Sequence, residues 1–184
     1  MKTLLQKSKD YKKKADLLLK SSKLIEFLKQ YGSVEITGSY SYNLMISGDI
    51  DIEIINPKIN RDKVIEILNQ LIKQGYFYGF MFGNWIDFQK KNFPKGYYIG
   101  LKSKKYHTKW KIDLWFLKTG NINEVKKIRN LIINKLNKYN KPIILELKDF
   151  RNKKYSKLES VIIYKAVLID KITNTKDFIK YIEK

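Results

Sequence analysis

The sequence contains no cysteine, which excludes disulfides and thiolate-bound metals. It has a single histidine, His107, so a multi-histidine zinc site is excluded as well. Any metal would be held mainly by oxygen, which suits Mg²⁺ or Mn²⁺. No apolar run approaches the roughly 20 residues of a membrane span. The start, Met1-Lys2-Thr3-Leu4-Leu5-Gln6-Lys7, lacks the long apolar stretch and small-residue cleavage site of a signal peptide, so a cytoplasmic protein with no membrane partner is expected. Arginine is scarce: Arg61, Arg129 and Arg151 stand among 38 basic residues. Acidic residues number 18, leaving a net charge of +20. Drift toward AT-rich codons accounts for lysine in place of arginine. It does not account for the shortage of acids, so nucleic acid stays open as a partner.

The 184 residues suit one domain, or one small domain with a helical appendage. Residues 4–31 carry a helical stripe of Leu4, Tyr11, Leu18 and Ile25, widened by Leu24, Phe27 and Leu28. Ser21-Ser22 is a place for a break, and Gly32 a natural stop. Short strands are expected over Val34–Thr37 and Ile50–Ile55. A helix follows over 61–74, capped by Asn60, closed by Gly75 and burying Val64, Ile65, Leu68, Leu71 and Ile72. Aromatic and β-branched residues make 76–117 strand territory, with strands over Tyr76–Met81, Trp85–Phe88, Tyr97–Lys102 and Lys109–Leu117. Gly83-Asn84 and Pro94-Lys95-Gly96 read as turns. Helical spacing returns near 122–138, 142–150, 156–171 and 175–183, with Pro142 in a first turn. The fold class is therefore α+β: a small mixed or antiparallel sheet with flanking helices on one face and a C-terminal helical bundle. Residues 1–118 form the core with its N-terminal helix, and 119–184 a helical region packed on it.

The stretch that carries chemistry is Ile36-Thr37-Gly38-Ser39 followed by Ser47-Gly48-Asp49-Ile50-Asp51-Ile52-Glu53. On a strand the isoleucines face one side and Asp49, Asp51 and Glu53 the other. Carboxylates two apart repel each other unless a divalent metal or a lysine stands between them. A glycine directly after a strand lets the backbone approach a phosphate, and amides with the Ser39 hydroxyl can cradle it.

A strand ending in Gly-Ser, a nine-residue gap, and Asp-x-Asp on the next strand resembles the polymerase-β-type nucleotidyltransferases, including their minimal and antibiotic-modifying members. The resemblance covers about residues 33–117. The phrase Ser47-Gly48-Asp49-Ile50-Asp51 is similar to their Ser-Asp-Ile-Asp with a glycine inserted. Tyr40-Ser41-Tyr42-Asn43-Leu44-Met45 departs from the Ala-Arg-Gly-like segment that often follows the Gly-Ser. The resemblance implies that Gly38 and Ser39 bind the β- and γ-phosphates of an NTP, and that Asp49 and Asp51 hold Mg²⁺ or Mn²⁺. It also implies a third carboxylate, for which Asp113 in Trp110-Lys111-Ile112-Asp113-Leu114-Trp115-Phe116 is the match. The implied activity is transfer of a nucleoside monophosphate from an NTP to an unidentified acceptor, whether a small-molecule hydroxyl, an RNA end or a protein, with release of pyrophosphate.

Other candidates are weaker. Lys111 and Lys109 can neutralise a triphosphate or be solvated lysines. Glu53 is expected to lie too far along its strand, facing solvent or a lysine. His107 is expected at a hairpin tip, and Tyr76, Phe77, Tyr78, Phe80, Phe82, Trp85 and Phe88 as core more than as base-stacking rings. If the positive charge acts on a polyanion, Lys102, Lys104, Lys105, Lys109 and Lys111 are the favoured track. The alternatives are Lys126, Lys127, Arg129 and Lys135, or Arg151, Lys153, Lys154 and Lys157. Two other functions fit the same sequence: a catalytically inactive nucleotide-binding or partner-binding member, such as an antitoxin-like module, and a basic RNA-binding protein with incidental carboxylates. The latter would show salt-dependent RNA affinity and no metal requirement.

Overall fold

The computed structural model describes residues 2–89, 93–119 and 123–183. It opens on α1 (Leu4–Ser22), whose first turn is closed by a capping box between Thr3 and Gln6. Lys23, in the left-handed region at φ 49°, breaks the helix beside the Ser-Ser pair, and α2 (Leu24–Lys29) continues. The buried face of α1 runs through Ser8, Ala15, Leu18 and Leu19. Two of these are small residues, so the heptad of Leu4 and Tyr11 lies only at its margin. The Ser8 hydroxyl donates to the Asn43 carbonyl at 2.8 Å, which lets a polar residue sit there. Gly32 matters for a different reason than a helix stop: a Cβ there would stand 2.5 Å from the Ile55 carbonyl oxygen.

Five strands form one mixed sheet in the order β1 (Ser33–Thr37), β2 (Asp49–Ile55), β5 (Thr108–Leu117), β4 (Tyr97–Lys105), β3 (Gly79–Asn84). β2 and β5 run parallel; every other neighbouring pair is antiparallel. Between β1 and β2 lies the four-residue α3 (Gly38–Ser41). The connection from β2 onward holds α4 (Arg61–Lys73), whose N-cap Asn60 accepts from the Lys63 amide. Its buried residues are Val64, Ile67 and Leu71, while Ile65 and Ile72 are exposed, so the core stripe lies one position round from the expected one. The 76–88 segment also differs. Strand pairing begins at Gly79 and runs through Asn84, the expected turn, where the Asn84 side chain accepts from the Ile86 and Asp87 amides and ends the strand. Trp85–Phe88 is therefore turn rather than strand. Of the aromatics in 76–88 Phe77 is buried, Tyr76, Phe80 and Phe82 pack half-buried against the core, and Tyr78 and Phe88 are exposed.

Four further helices follow: α5 (Asn123–Lys135), α6 (Asn140–Lys154), α7 (Ser160–Leu168) and α8 (Thr175–Ile182). α7 starts later than 156 because the Leu158 amide turns back to the Tyr155 carbonyl, leaving Glu159 as its N-cap.

The buried residues form two clusters. One joins Ile50, Ile52, Ile54, Ile112, Leu114 and Phe116 on one sheet face to Leu18, Leu24, Leu28, Val64, Ile67 and Leu71. The other lies among α5–α8 and takes in Leu44 from the loop before β2. The sequence led to helices on one face only; the structure has them on both. α5 and α7 stand over the opposite face, where Arg129 pairs with Glu35 of β1 and a cavity of about 400 Å³ opens.

Candidate active site

β2 and β5 run side by side in parallel, so their residues fall into register: Asp49 beside Lys111, Asp51 beside Asp113, Glu53 beside Trp115. Strand alternation sends the isoleucines of β2 and Ile112, Leu114 and Phe116 of β5 into the core. Asp49, Asp51, Lys111 and Asp113 are left together on the other face. The three carboxylates read from the sequence thus come from two neighbouring strands onto one surface.

Each has a distinct surrounding. Asp49 is exposed and accepts from the Ser47 hydroxyl at 2.6 Å. Asp113 accepts from Tyr98 Oη at 2.6 Å and from Lys111 Nζ at 2.7 Å. Burial, reinforced by the Asp113 and Asp49 charges, pushes the Asp51 carboxyl up to about 6, against the pull of Lys111 and Lys148. Lys111 loses some basicity to burial, but the carboxylates of Asp113, Asp49 and Asp51 outweigh it and hold its pKa above the ordinary lysine value.

Gly38 follows β1 directly, in the left-handed region at φ 64°. A Cβ there would lie 2.1 Å from Asp51 Oδ2. Glycine is needed twice over, for its backbone angle and to let the chain lie against the carboxylate. Ser39 follows in α3, where its carbonyl accepts from the Leu44 amide at 2.9 Å and shapes the loop into β2. The 400 Å³ cavity falls within the range of small-ligand sites. Thr37, Gly38, Asp51 and Glu53 line it from the sheet, and Ile128, Ile132 and Tyr164 from the helices. Asp49, Asp113, Ser39 and Lys111 are not part of its lining. Glu53 is buried at 7 % exposure rather than facing solvent.

No local pattern marks Lys148 as part of the cationic side of the site. Lys148, on α6, is buried at 3 % exposure and donates to the Leu44 carbonyl at 2.8 Å. Burial, with the neighbouring Arg151 charge, pushes its pKa down to about 8, while Asp49 and Asp51 pull the other way. Arg151 is no part of a surface track. It is half-buried, donates through Nη1 to the Leu158 carbonyl at 2.8 Å, leaves Nε without a hydrogen bond, and is within the field of Asp49. Arg129 is tied to Glu35, and the Lys126 side chain lies outside the described residues. A lysine at an apolar helical spacing reads as surface until the bundle is folded; only then does it face carboxylates some 100 residues earlier. His107 sits with Tyr106 at the tip of the β4–β5 hairpin, both at positive φ.

The chain superposes on a crystal structure of the Cid1 poly(U) polymerase with Mg and 3′-dATP bound, at a TM-score of 0.57 and 20% identity, over 86% of this chain and 48% of that one. The two share a fold over that region. The chain spans about half the length of that protein. The non-canonical poly(A) polymerase complex GLD-2–GLD-3 matches at a TM-score of 0.49 and 15% identity, covering 91% of this chain and 58% of that one. The GLD-2/RNP-8 complex matches at 0.46 and 12%, covering 89% and 65%. No protein-family model and no curated protein matches the sequence.

Among the described residues no group of three carboxylate or histidine side chains is set to grip one cation as it stands. Hydrogen bonds hold Asp49 to Ser47 and Asp113 to Tyr98 and Lys111. The donor chemistry nevertheless fits Mg²⁺ or Mn²⁺. The carboxylates are all-oxygen donors, and Asp51 is buried beside the like charges of Asp113 and Asp49, a setting that a divalent cation would relieve.

Proposed function

We propose that this chain transfers a nucleoside monophosphate from an NTP to an acceptor hydroxyl, releasing pyrophosphate. The observation that carries the reading is the register of Asp51 beside Asp113 with Gly38 pressed against Asp51, within this fold.

Asp49, Asp51 and Asp113 would hold two divalent ions, Mg²⁺ or Mn²⁺. When bound, such ions lower the pKa of an attacking hydroxyl and stabilise the oxygens of the leaving pyrophosphate. The chain's own part is positioning and charge. Gly38 and Ser39 bring backbone amides to the phosphates from the sheet side. Lys148 and Arg151 oppose Asp49 and Asp51 from α6, and there they balance the triphosphate. The base and ribose occupy the cavity between Tyr42, Trp115, Ile132 and Tyr164. Asp113 would accept the proton of the acceptor hydroxyl, and its hydrogen bonds from Tyr98 and Lys111 would orient it for that. Lys111 also shields the site in the absence of metal, by satisfying one Asp113 oxygen.

Binding of a non-hydrolysable NTP analogue should require Mg²⁺ or Mn²⁺. α-Labelled NTP should pass its label to a fraction of cell extract with the parent protein and not with Asp49→Asn/Asp51→Asn. Metal-independent analogue binding, or label transfer unaffected by the double substitution, rules the reading out. An RNA-binding module with incidental carboxylates would pass no label with either protein and would bind RNA in a salt-dependent way with no metal requirement.

A further inference from the structure

The face of the sheet that bears the carboxylates continues along the β4–β5 hairpin. There Gly100 lies opposite Asp113, Lys102 opposite Lys111, and Lys104 opposite Lys109. Alternation puts these four lysines on the Asp113 side, and all four are exposed while Leu101, Ser103, Trp110 and Ile112 between them are buried. Two successive cross-strand pairs are therefore lysine against lysine. Like charges directly opposite destabilise a sheet. Nothing relieves them locally: residues 97–112 contain no Asp or Glu. Among the described residues Lys102, Lys104 and Lys109 have no ion-pair partner; Lys104 rests over the Tyr78 ring at 5.3 Å, and Lys111 alone is paired, with Asp113.

The ladder has a direction. Successive rungs are about 7 Å apart, so it extends about 14 Å from Asp113 to the Lys104–Lys109 pair. That is beyond the reach of a triphosphate already opposed by Lys148 and Arg151 on the α6 side. It leads away from the carboxylates toward the hairpin tip, with the exposed ring of Tyr78 beside Lys104 near its outer end. A repeating row of unpaired cations with an exposed aromatic ring at its side matches an extended polyanion that carries bases.

We propose that Lys102, Lys104 and Lys109 form a track for the sugar-phosphate backbone of a single-stranded polynucleotide, whose terminal hydroxyl reaches Asp49, Asp51 and Asp113. This rests on the nucleotidyltransferase reading above and names its acceptor class: a nucleic-acid end, not a small alcohol. Phosphates between the facing lysines remove the repulsion that the free protein carries.

The probe is an unstructured single-stranded RNA 12-mer, with affinity measured over a range of salt. Lys102→Gln/Lys104→Gln/Lys109→Gln should weaken binding at least tenfold. It should also flatten the slope of log affinity against log salt by about 2, since each contact to a single strand contributes roughly 0.7. Lys20→Gln/Lys29→Gln/Lys73→Gln removes the same charge from exposed helix positions and should change binding little. Lys104→Glu should raise the melting temperature, by turning a like pair into an opposite pair with Lys109, and still weaken RNA binding. Equal losses from the two triple variants, or an unchanged slope in the ladder variant, would overturn the track. Binding of the Mg²⁺–NTP analogue is read on the same proteins. Its absence from the parent overturns the parent reading and the track together. Its presence alongside an unaltered RNA affinity in the ladder variant overturns the track alone.

Discussion

The two faces of this sheet are built from the same two strands to opposite ends. On one, Ile52 and Ile54 of β2 and Ile112, Leu114 and Phe116 of β5 are fully buried and meet only apolar neighbours. On the other, Asp49, Asp51, Lys111 and Asp113 crowd charges of both signs into a surface that burial has partly stripped of water. The first face is satisfied and contributes stability through area removed from water. The second is strained electrostatically: it holds a carboxyl pushed up to about 6 facing a buried lysine pushed down to about 8. Groups whose charged forms are disfavoured at neutral pH persist where a ligand will complete them. Substitutions on the first face should cost stability, and those on the second should cost function while leaving stability unchanged or improved.

The largest effect should come from Asp51→Asn. Nucleotidyl transfer should fall by at least about a thousandfold, as expected when charge stabilisation is removed from the reacting centre. The metal-free variant should be more stable than the parent at pH 7. The sign follows from linkage. A carboxyl whose folded pKa is raised from 3.8 to about 6 favours the folded state fully below 3.8, and that advantage is lost as pH rises through 6. Urea denaturation should therefore show a gain for Asp51→Asn of about 2–3 kcal/mol at pH 7 that vanishes near pH 4. A loss of stability at pH 7 would break the contrast between the faces. Next to Asp51 in sequence, Ile52→Ala should act in the reverse sense, costing about 3–4 kcal/mol of stability by opening a cavity in the core. Nucleotide affinity, measured where the variant is still folded, should stay within a few-fold.

Lys148→Met comes next. A lysine with a folded pKa near 8 against an ordinary 10.5 destabilises the protein below pH 8, and the cost is relieved as pH rises from 8 toward 10.5. Methionine removes the charge at the expense of the hydrogen bond to the Leu44 carbonyl. The net change at pH 7 should be a gain of about 1–2 kcal/mol, shrinking at pH 10, together with a loss of Mg²⁺–NTP affinity. Loss of stability without loss of nucleotide binding would make Lys148 a structural tether of the Leu44 loop.

The two faces also differ in how far they could be read from the sequence. Alternation in Asp49–Ile55 and Trp110–Phe116 marks which residues share a face, because a period of two needs no tertiary knowledge. Gly38 was legible as a close approach, although its partner, the Asp51 carboxylate, was not. Ile65 and Ile72 misled because helical spacing allows neighbouring stripes, and only packing on the sheet selects Val64, Ile67 and Leu71. Ser8 and Ala15 escaped notice because small residues carry little hydropathy yet mark where α1 comes closest. Lys148 was invisible as a site residue, and Arg151 was legible only as a member of an alternative track, for a stronger reason. Their meaning depends on folding α6 back toward a loop 104 residues earlier, a contact that no local pattern encodes.

The smallest effect falls on two adjacent tyrosines of β4, which test the comparison within one strand. Tyr97 and Tyr98 are both buried, at 7 % and 5 % exposure, but they point to opposite faces. Tyr97 packs in the core against Phe82, ring centroids 6.5 Å apart. Tyr98 packs on Trp115 at 5.0 Å and gives its hydroxyl proton to Asp113 at 2.6 Å. Burial and that bond together raise the Tyr98 pKa, so the phenol remains a donor throughout the working pH range. Removing the hydroxyl leaves the ring packing of either residue in place. Tyr98→Phe should therefore alter stability by no more than about 1 kcal/mol, while freeing the Asp113 carboxylate to turn toward Lys111. Transfer should fall roughly tenfold, the equivalent of about 1.4 kcal/mol of positioning, with the nucleotide KM nearly unchanged if Asp113 serves the acceptor as proposed. Tyr97→Phe should change neither quantity. If both variants behave alike, the hydroxyl of Tyr98 serves the packing of the sheet and not the orientation of Asp113.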